Sequence, residues 1–383
     1  MTSSARFAVF LTIVLAIWSL QHLYVGWRLL SLPLVRGAAV QRGLVVALAL
    51  GLLSYPAARY VEHLGWLRLS LVLETVGSVW MGFLFLLVIS LLVADAVTLG
   101  GLALKPWLAS VRSAAVAVAL VAGVVAVIGA RVPPRTLAVE AVVEGLPAEH
   151  DGLVLVAVSD VHLGSSVGER RLRTIVDRAV ALEPDLLVVV GDMVDGSAHL
   201  LEPMLPELER LRAPLGAFAV LGNHELYIGA ERSRRFLGEA GFEVLDNRGV
   251  EVAPGLVVAG VPDPRSSAQT GSIPADLGAA LAGVDPAAAV ILLQHSPEDE
   301  AAAAAAGVDL MLCGHTHGGQ IWPFNLFVRL SYPHLAGVFR VGAMTLVVSR
   351  GAGFWGPPMR LFAPADIVRV TLRSPAAHLP GGQ

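Results

Sequence analysis

The chain has 383 residues, 55% of them hydrophobic and only 15% charged, with a formal net charge of −4. It is too apolar for an average soluble domain, and without a basic excess or a Lys/Arg-rich run interleaved with aromatics it offers nucleic acid no footprint. Its single cysteine, Cys313, excludes an intrachain disulfide and any multi-cysteine zinc site.

The apolar excess lies in residues 1–131, which read as a transmembrane region. Four segments approach the roughly 20 apolar residues that cross a bilayer. They lie at about 7–27, 43–61, 69–97 and 112–131, the first carrying Gln21 and His22 and the second short, with Pro56 near its end. No small-residue cleavage pattern follows the first run, no twin arginine precedes it, and further spans come after it, so it reads as a retained span rather than a signal peptide. Polar residues inside spans are costly. Glu74 and His22 therefore raise two readings, an intramembrane site or pairing near an interface or between helices, and the second is favoured. Four spans place the amino terminus and the remainder of the chain on the same side. Counting Lys and Arg gives a level score: Arg6, Arg59, Arg68, Arg131 and Arg135 on one face, Arg28, Arg36, Arg42, Lys105 and Arg112 on the other. The three arginines around the short first loop tilt the expectation towards a carboxyl-terminal half outside the cytoplasm.

Residues 132–150 read as a linker and edge strand, with paired prolines in "RVPPRT" and alternation in "LAVEAVVEGLP". A domain over 151–374 follows. "GLVLVAVSD" reads as a buried strand ending at Asp160, "ERRLRTIVDRAVALE" as a helix stopped by Pro184, and "DLLVVVGD" as the next strand. Further apolar runs end in "GNHE", "GVPD", "QHSPE" and "CGHTH", so polar residues recur at the carboxyl ends of strands, where open α/β sheets build their sites. The run "AAAAAA" at 301–306 reads as a short helix beginning just after His295, with Ser296 as N-cap and Pro297 in the first turn. Residues 375–383 read as a disordered tail.

Five clusters sit on those strand ends: Asp160 and His162 in "SDVHLG", Asp192 and Asp195 in "GDMVDG", Asn223, His224 and Glu225 in "GNHE", His295 in "QHS", and His315 and His317 in "GHTHGG". Singly each is weak, since a lone histidine is more often a satisfied polar residue than a ligand. Together they supply carboxylates, an amide and imidazoles, which suit borderline divalent ions such as Mn, Fe or Zn, and a carboxylate can bridge two of them. Glycines at 191, 222, 314, 318 and 319 permit tight turns and close backbone approach. Cys313, inside an apolar strand, reads as a packing residue. Arg350 suits either a substrate phosphate or a structural pairing.

The order D-x-H, G-D-x-x-D, G-N-H-E, H, G-H-x-H over about residues 150–375 resembles the calcineurin-like metallophosphoesterase family, and "GDMVDG", "CGHTHGGQ" and "SRGAGFWGPPMR" resemble its membrane-associated bacterial branch. The resemblance implies an α/β fold, a four-layer sandwich of two mixed sheets flanked by helices, with two divalent metals at the sheet edge and a place in a bacterial cell membrane. By motif, Asp160, His162, Asp192 and His317 hold the first ion and Asp192, Asn223, His295 and His315 the second. His224 is then the non-ligand catalytic histidine, stabilising phosphoryl oxygens or protonating the leaving group. Asp195 is expected to orient its neighbours, although a turn role serves Asp195 and Glu225 equally well.

The implied reaction is hydrolysis by a hydroxide held between the ions. An apolar anchor concentrates membrane-borne substrates, and "IWPFNLFVRLSYPHLAG" reads either as a lipid-facing segment or as a loop covering the core. A lipid-linked phosphodiester or pyrophosphate is the expected substrate, with membrane lipid as the other partner. Two other classes stand beside this one. The first is a metal-dependent sensor or binding module that has lost turnover, against which the complete ligand set and His224 argue. The second is a transporter with a hydrolase appendage, for which Glu74 alone is a poor ion pathway.

Overall fold

The structure is a computed structural model and describes residues 3–164, 167–196 and 198–378. The chain divides into two compact units, Met1–Gly129 with Gly356–Leu361, and Ala130–Trp355 with Phe362–Gln383.

In the first unit four helices run in sequence: α1 (Ser3–Leu30), α2 (Ala38–His63), α3 (Leu67–Val97) and α4 (Leu108–Arg131). Stretches long and apolar enough to cross a membrane cover Thr12–Leu30, Ala38–His63, Leu67–Val97 and Lys105–Arg131. The second is longer than the sequence reading of about 43–61, beginning at Ala38 and running, as expected, through Pro56 to end at His63. Proline has no N–H for the carbonyl four residues back, and an orphaned carbonyl in hydrocarbon is costly. The indole of Trp18 on α1 fills the gap, its Nε1–H donating to Leu52 O at 3.0 Å.

His22 and Glu74 also pair between helices. Trp80 Nε1 on α3 donates to His22 Nε2 (2.8 Å), which leaves His22 Nδ1–H to donate to Trp18 O (2.8 Å). Glu74 on α3 forms an ion pair with Arg59 on α2. The segment Gly356–Leu361 returns to these helices: Arg360 N–H donates to Ala126 O at 2.8 Å. Gly82 leaves room for Met359, whose Sδ would lie 2.2 Å from an added Cβ.

The second unit is built on two six-stranded sheets. One has the order β1 (Arg135–Val142), β14 (Asp366–Arg373), β2 (Val154–Val158), β4 (Leu186–Val190), β6 (Ala217–Val220), β7 (Glu243–Val244). The other runs β12 (Gly337–Val341), β13 (Met344–Val348), β11 (Leu310–Cys313), β10 (Ala289–Leu293), β9 (Leu256–Gly260), β8 (Arg248–Ala253). A two-stranded piece pairs β3 (Leu163–Gly164) with β5 (Val194–Asp195). The middle strands β2, β4 and β6, like β9, β10, β11 and β13, are parallel, whereas β14 against β2, β8 against β9 and β12 against β13 are antiparallel. The alternating β1 is an edge strand.

Strand side chains alternate between faces, and here that period of two sorts them into layers. Leu155, Ala157, Leu186 and Val188 join Ile291, Leu293 and Leu310 in a core between the sheets. Val156, Val158, Leu187 and Val189 pack with helix residues such as Leu172, Ile175 and Leu237 on the outer face of the first sheet. Val290, Leu292 and Met311 do the same with Ala280 and Ala303 on the outer face of the second. The architecture is the expected α/β sandwich of two mixed sheets with flanking helices.

The helix at the alanine run starts later than the sequence suggests, at Glu300, and ends at Ala305. Ser296 is drawn away from a capping role because its hydroxyl donates to Asp263 Oδ2 (2.6 Å), and the Gln294 side chain ties down the carbonyls of Ser296 and Glu298. Of the predicted tail, Pro375–His378 form a 3₁₀ turn, and residues 379–383 lie outside the described residues.

Candidate metal centre

Parallel strands deliver their carboxyl ends to one side, so the loops after β2, β4, β6, β10 and β11 converge. Asp160 and His162 follow β2, Asp192 follows β4, Asn223 opens the helix Asn223–Glu239 after β6, His295 follows β10, and His315 and His317 follow β11. Asp160 and His295 are fully buried, while His162, Asp192, Asn223 and His317 are each less than one-tenth exposed.

Two groups of donor atoms form around Asp192. On one side His162 Nε2 lies 3.1 Å from His317 Nε2, His317 Nε2 lies 3.4 Å from Asp160 Oδ1, and His162 Nε2 lies 3.8 Å from Asp192 Oδ2. On the other, His295 Nε2 lies 3.1 Å from Asp192 Oδ2, and His315 Nδ1 lies 2.9 Å from Asn223 Oδ1. Asp160, His162 and His317, and separately Asp192, His295 and His315, bring one ligand atom each within 4.8 Å of one another. Donors about 2.1 Å from a shared ion at tetrahedral or octahedral angles lie about 3.0–3.4 Å apart, so the closest of these spacings suit a cation between them.

The tautomers agree. His295 Nδ1–H donates to Val190 O at 2.8 Å, which turns Nε2 inwards to within 3.1 Å of Asp192 Oδ2. An outer partner such as Val190 O is what a metal-ligating imidazole ordinarily uses to fix its ring.

Electrostatics follow from burial and proximity. Burial would raise the Asp192 carboxyl, but the charge and hydrogen bond of His295 hold it well below the usual carboxylate range. Burial would lower His295, and Asp192 drives it well above its ordinary value instead. His315 is lowered by burial and by the charge of His295, so its neutral, ligating form is favoured.

Around this core stand residues that the sequence motifs left undecided. Asp195 Oδ1 accepts from His224 Nδ1 at 2.8 Å. Burial would raise Asp195, but the His162 ring, its Nδ1 3.7 Å away, and the hydrogen bond from His224 bring it down to about 2. Burial would lower His224, and the Asp195 hydrogen bond with the charges of Asp192, Asp195 and Glu225 raises it to about 9. Glu225 is fully buried, and its carboxylate accepts three backbone N–H groups, from Asp192, Val194 and Gly222, each at 2.8 Å. It therefore locks the Asp192 loop to the start of the helix that carries Asn223 and His224. Ser159 Oγ–H donates to Asp160 Oδ2, a positioning contact for which the sequence gives no signal.

The backbone is unusual where the ligand candidates sit. Asp160, His162, Asp192, His315 and His317 all have positive φ, between 50° and 69°. Two glycines permit close approach: a Cβ on Gly222 would lie 2.3 Å from Asp192 Oδ1, and one on Gly314 would lie 1.9 Å from Ser159 Oγ and 2.3 Å from Asp160 Oδ2.

Aromatic rings flank the centre, Tyr227 and Trp355 with centroids 6.0 Å from the His224 ring and Tyr332 at 5.0 Å from that of His315. Arg350 takes the structural pairing, its NH1 donating to Asp366 Oδ2 (3.2 Å) while Ser349 Oγ donates to Asp366 Oδ1 (2.7 Å). Cys313 is buried, its thiol pushed well up by burial, and it packs among Val290, Leu292 and Met311.

Comparison with known proteins agrees with this arrangement. The calcineurin-like phosphoesterase family model matches residues 153–319. An uncharacterised metallophosphoesterase of Aquifex aeolicus is 40% identical over 217 residues, 56% of this chain and 83% of that protein. A transmembrane protein with metallophosphoesterase domain from Bos taurus is 37% identical over 289 residues, 71% of this chain and 63% of that one. An uncharacterised metallophosphoesterase of Campylobacter jejuni is 34% identical over 242 residues, covering 62% and 64% respectively. The chain thus spans slightly less than two thirds of the last two relatives. On its motifs, its site and these relatives, the chain belongs to the calcineurin-like metallophosphoesterase family.

Proposed function

We propose that this protein is a membrane-anchored hydrolase of phosphodiesters or pyrophosphates that uses two divalent ions, with a lipid-linked substrate and a catalytic domain outside the cytoplasm. The observation that supports it is the pair of donor clusters, Asp160, His162 and His317 on one side and His295 and His315 on the other, with Asp192 Oδ2 3.8 Å from His162 Nε2 and 3.1 Å from His295 Nε2. Asp160, His162, Asp192 and His317 would hold one ion, and Asp192, Asn223, His295 and His315 the other. When bound, two such ions supply a hydroxide nucleophile near neutral pH and neutralise phosphoryl charge.

The protein's own residues do the rest. His224, raised to about 9, carries a proton at neutral pH and stands ready to give it to the departing oxygen. Asp195 holds the His224 ring through Nδ1, and Glu225 holds the loop that presents Asp192. The substrate class rests on exposed apolar side chains after the histidines, Trp322, Phe324, Leu326, Phe327 and Leu330, which suit a hydrocarbon chain better than a sugar or nucleoside. The four apolar helices would concentrate the enzyme where such substrates reside.

The test is hydrolysis of bis(p-nitrophenyl) phosphate and of its monoester by detergent-purified protein, stripped and reloaded with Mn, Fe or Zn. Metal-dependent diester cleavage that Asp192→Asn abolishes is the expected result. Two bound metals with no turnover on these or on lipid-linked diesters and pyrophosphates would overturn it in favour of a binding module.

A further inference from the structure

The loops joining α1 to α2 and α3 to α4 lie at one end of the helical unit, and the residues there are lopsided in charge. Arg28, Arg36, Arg42, Lys105 and Arg112 meet a single acid, Asp95. Arg28 is two residues from the end of α1, Asp95 two from the end of α3, and Arg112 four from the start of α4, so all three lie within about a turn of a helix end, the depth of the headgroups. Exposed Trp27 and Trp107 mark the same level, as aromatic residues do at a membrane interface.

Both arginines are buried, Arg28 at 8% exposure and Arg112 at 6%, and both lean on one carboxylate. Arg28 NH2 donates to Asp95 Oδ2 (2.7 Å), and Tyr24 OH donates to the same oxygen at 2.7 Å. Arg112 NH2 reaches Asp95 Oδ1 at 3.4 Å and its NH1 donates to Ser31 Oγ at 3.1 Å. One negative charge is thus divided between two guanidinium groups, and the oxygen nearer Arg28 is already shared with a phenol. The Nε atoms of Arg28 and of Arg112 are buried with no hydrogen-bond partner. Arg28 is also held against the Trp27 ring, its guanidinium carbon 3.6 Å from the centroid. Buried cations need compensating charge, and here two guanidinium forks share a single carboxylate, which leaves one positive charge in excess.

We propose that Arg28 and Arg112 form a phosphate-binding site at this end of the helical unit, taking the headgroup phosphate of an anionic phospholipid, with Asp95 as the single internal carboxylate that both forks share and that competes with the phosphate. Arg36, Arg42 and Lys105, in or just beyond the same two loops, add exposed positive charge that attracts the same anion. The site is separate from the metal centre, and its readout does not depend on hydrolysis.

Full-length protein in neutral detergent would be titrated with phosphatidylglycerol, with phosphatidylcholine or with inorganic phosphate, following the melting temperature and, by native mass spectrometry, the lipid retained. Phosphatidylglycerol should raise the melting temperature and remain bound where phosphatidylcholine does not. Arg112→Gln should weaken retention about fivefold, the factor for one interfacial cation. Protection by inorganic phosphate alone, lost in Arg112→Gln, would also support the site and identify free phosphate as its source. Asp95→Asn keeps both cations and removes the competing anion, so it should melt lower without lipid yet retain phosphatidylglycerol at least as well. Equal protection by both lipids with none from phosphate, unchanged retention in folded Arg112→Gln, or loss of retention in Asp95→Asn would overturn the proposal and leave the cluster as an internal ion network.

Discussion

Asp195 Oδ1 holds His224 Nδ1 at 2.8 Å, so the carboxylate that ends the G-D-x-x-D motif grips the histidine of G-N-H-E rather than standing among the donor atoms. His224→Ala should therefore retain its metals while losing about 10²–10⁴ of kcat, the usual worth of a positioned proton donor. Asp195→Asn should lose less, about 10–100-fold, because it loosens the ring without removing it. Metal content by mass spectrometry beside kcat checks both. Full turnover in metal-replete His224→Ala would remove that residue from the chemistry.

Glu225 makes a different forecast. Its Oε2 takes the N–H groups of Asp192 and Gly222, and its Oε1 takes that of Val194. In Glu225→Gln an NH₂ group must face at least one of these donors, leaving a buried N–H unsatisfied at a cost of about 1–3 kcal/mol. Melting should drop and metal affinity should fall with it. An unchanged melting temperature would show that the bonding lost to the NH₂ group contributes nothing net.

Gly314→Ala places a methyl group where Ser159 Oγ and Asp160 Oδ2 already sit. Asp160 must move, and metal binding should weaken by at least the 10–100-fold typical of a disturbed supporting group. Calorimetric titration of the stripped protein with Mn or Zn measures it. A wild-type affinity would mean that Asp160 is not a ligand.

Asp309 offers a pH test remote from the centre. Its Oδ2 accepts from Val290 N at 2.8 Å, yet burial, with the charge of Glu144 adding to it, raises its pKa from 3.8 to about 6. The folded state then binds the proton more tightly than the unfolded one. Its contribution to stability is greatest below about pH 4 and declines as pH rises to about 6. Asp309→Asn should remove that decline, so the variant gains on the wild type across this window. Parallel melting curves between these limits, with no divergence, would contradict it.

In the helical unit, Trp18→Phe removes the donor that satisfies the Leu52 carbonyl opposite Pro56. The loss should be about 0.6–2 kcal/mol, as for other interhelical bonds in membranes, and should be visible in detergent melting.

The strand-end chemistry was legible because each ligand candidate follows a short apolar run, and the sheets place the ends of parallel strands side by side. What keeps α2 intact past Pro56 was not, because the indole that satisfies the orphaned Leu52 carbonyl comes from Trp18, 34 residues earlier. The start of the alanine helix was misread for a related reason: Ser296 has cap chemistry but is engaged by Asp263, 33 residues earlier. Glu225 was left undecided because its role depends on three backbone N–H groups that only the fold assembles. The return of Gly356–Leu361 to the helices was equally hidden within a motif that resembles a family signature.

The left-handed backbone at Asp160, His162, Asp192, His315 and His317 has an evolutionary corollary. Aspartate, asparagine and histidine tolerate positive φ better than most side chains, and the first and last of these supply the carboxylates and imidazoles that borderline cations prefer. One alphabet of residues thus meets a conformational and a chemical demand at once. A glutamate or glutamine offered at these positions keeps the donor atom but loses the tolerance, so the repertoire open to drift is narrower than ligand chemistry alone would allow.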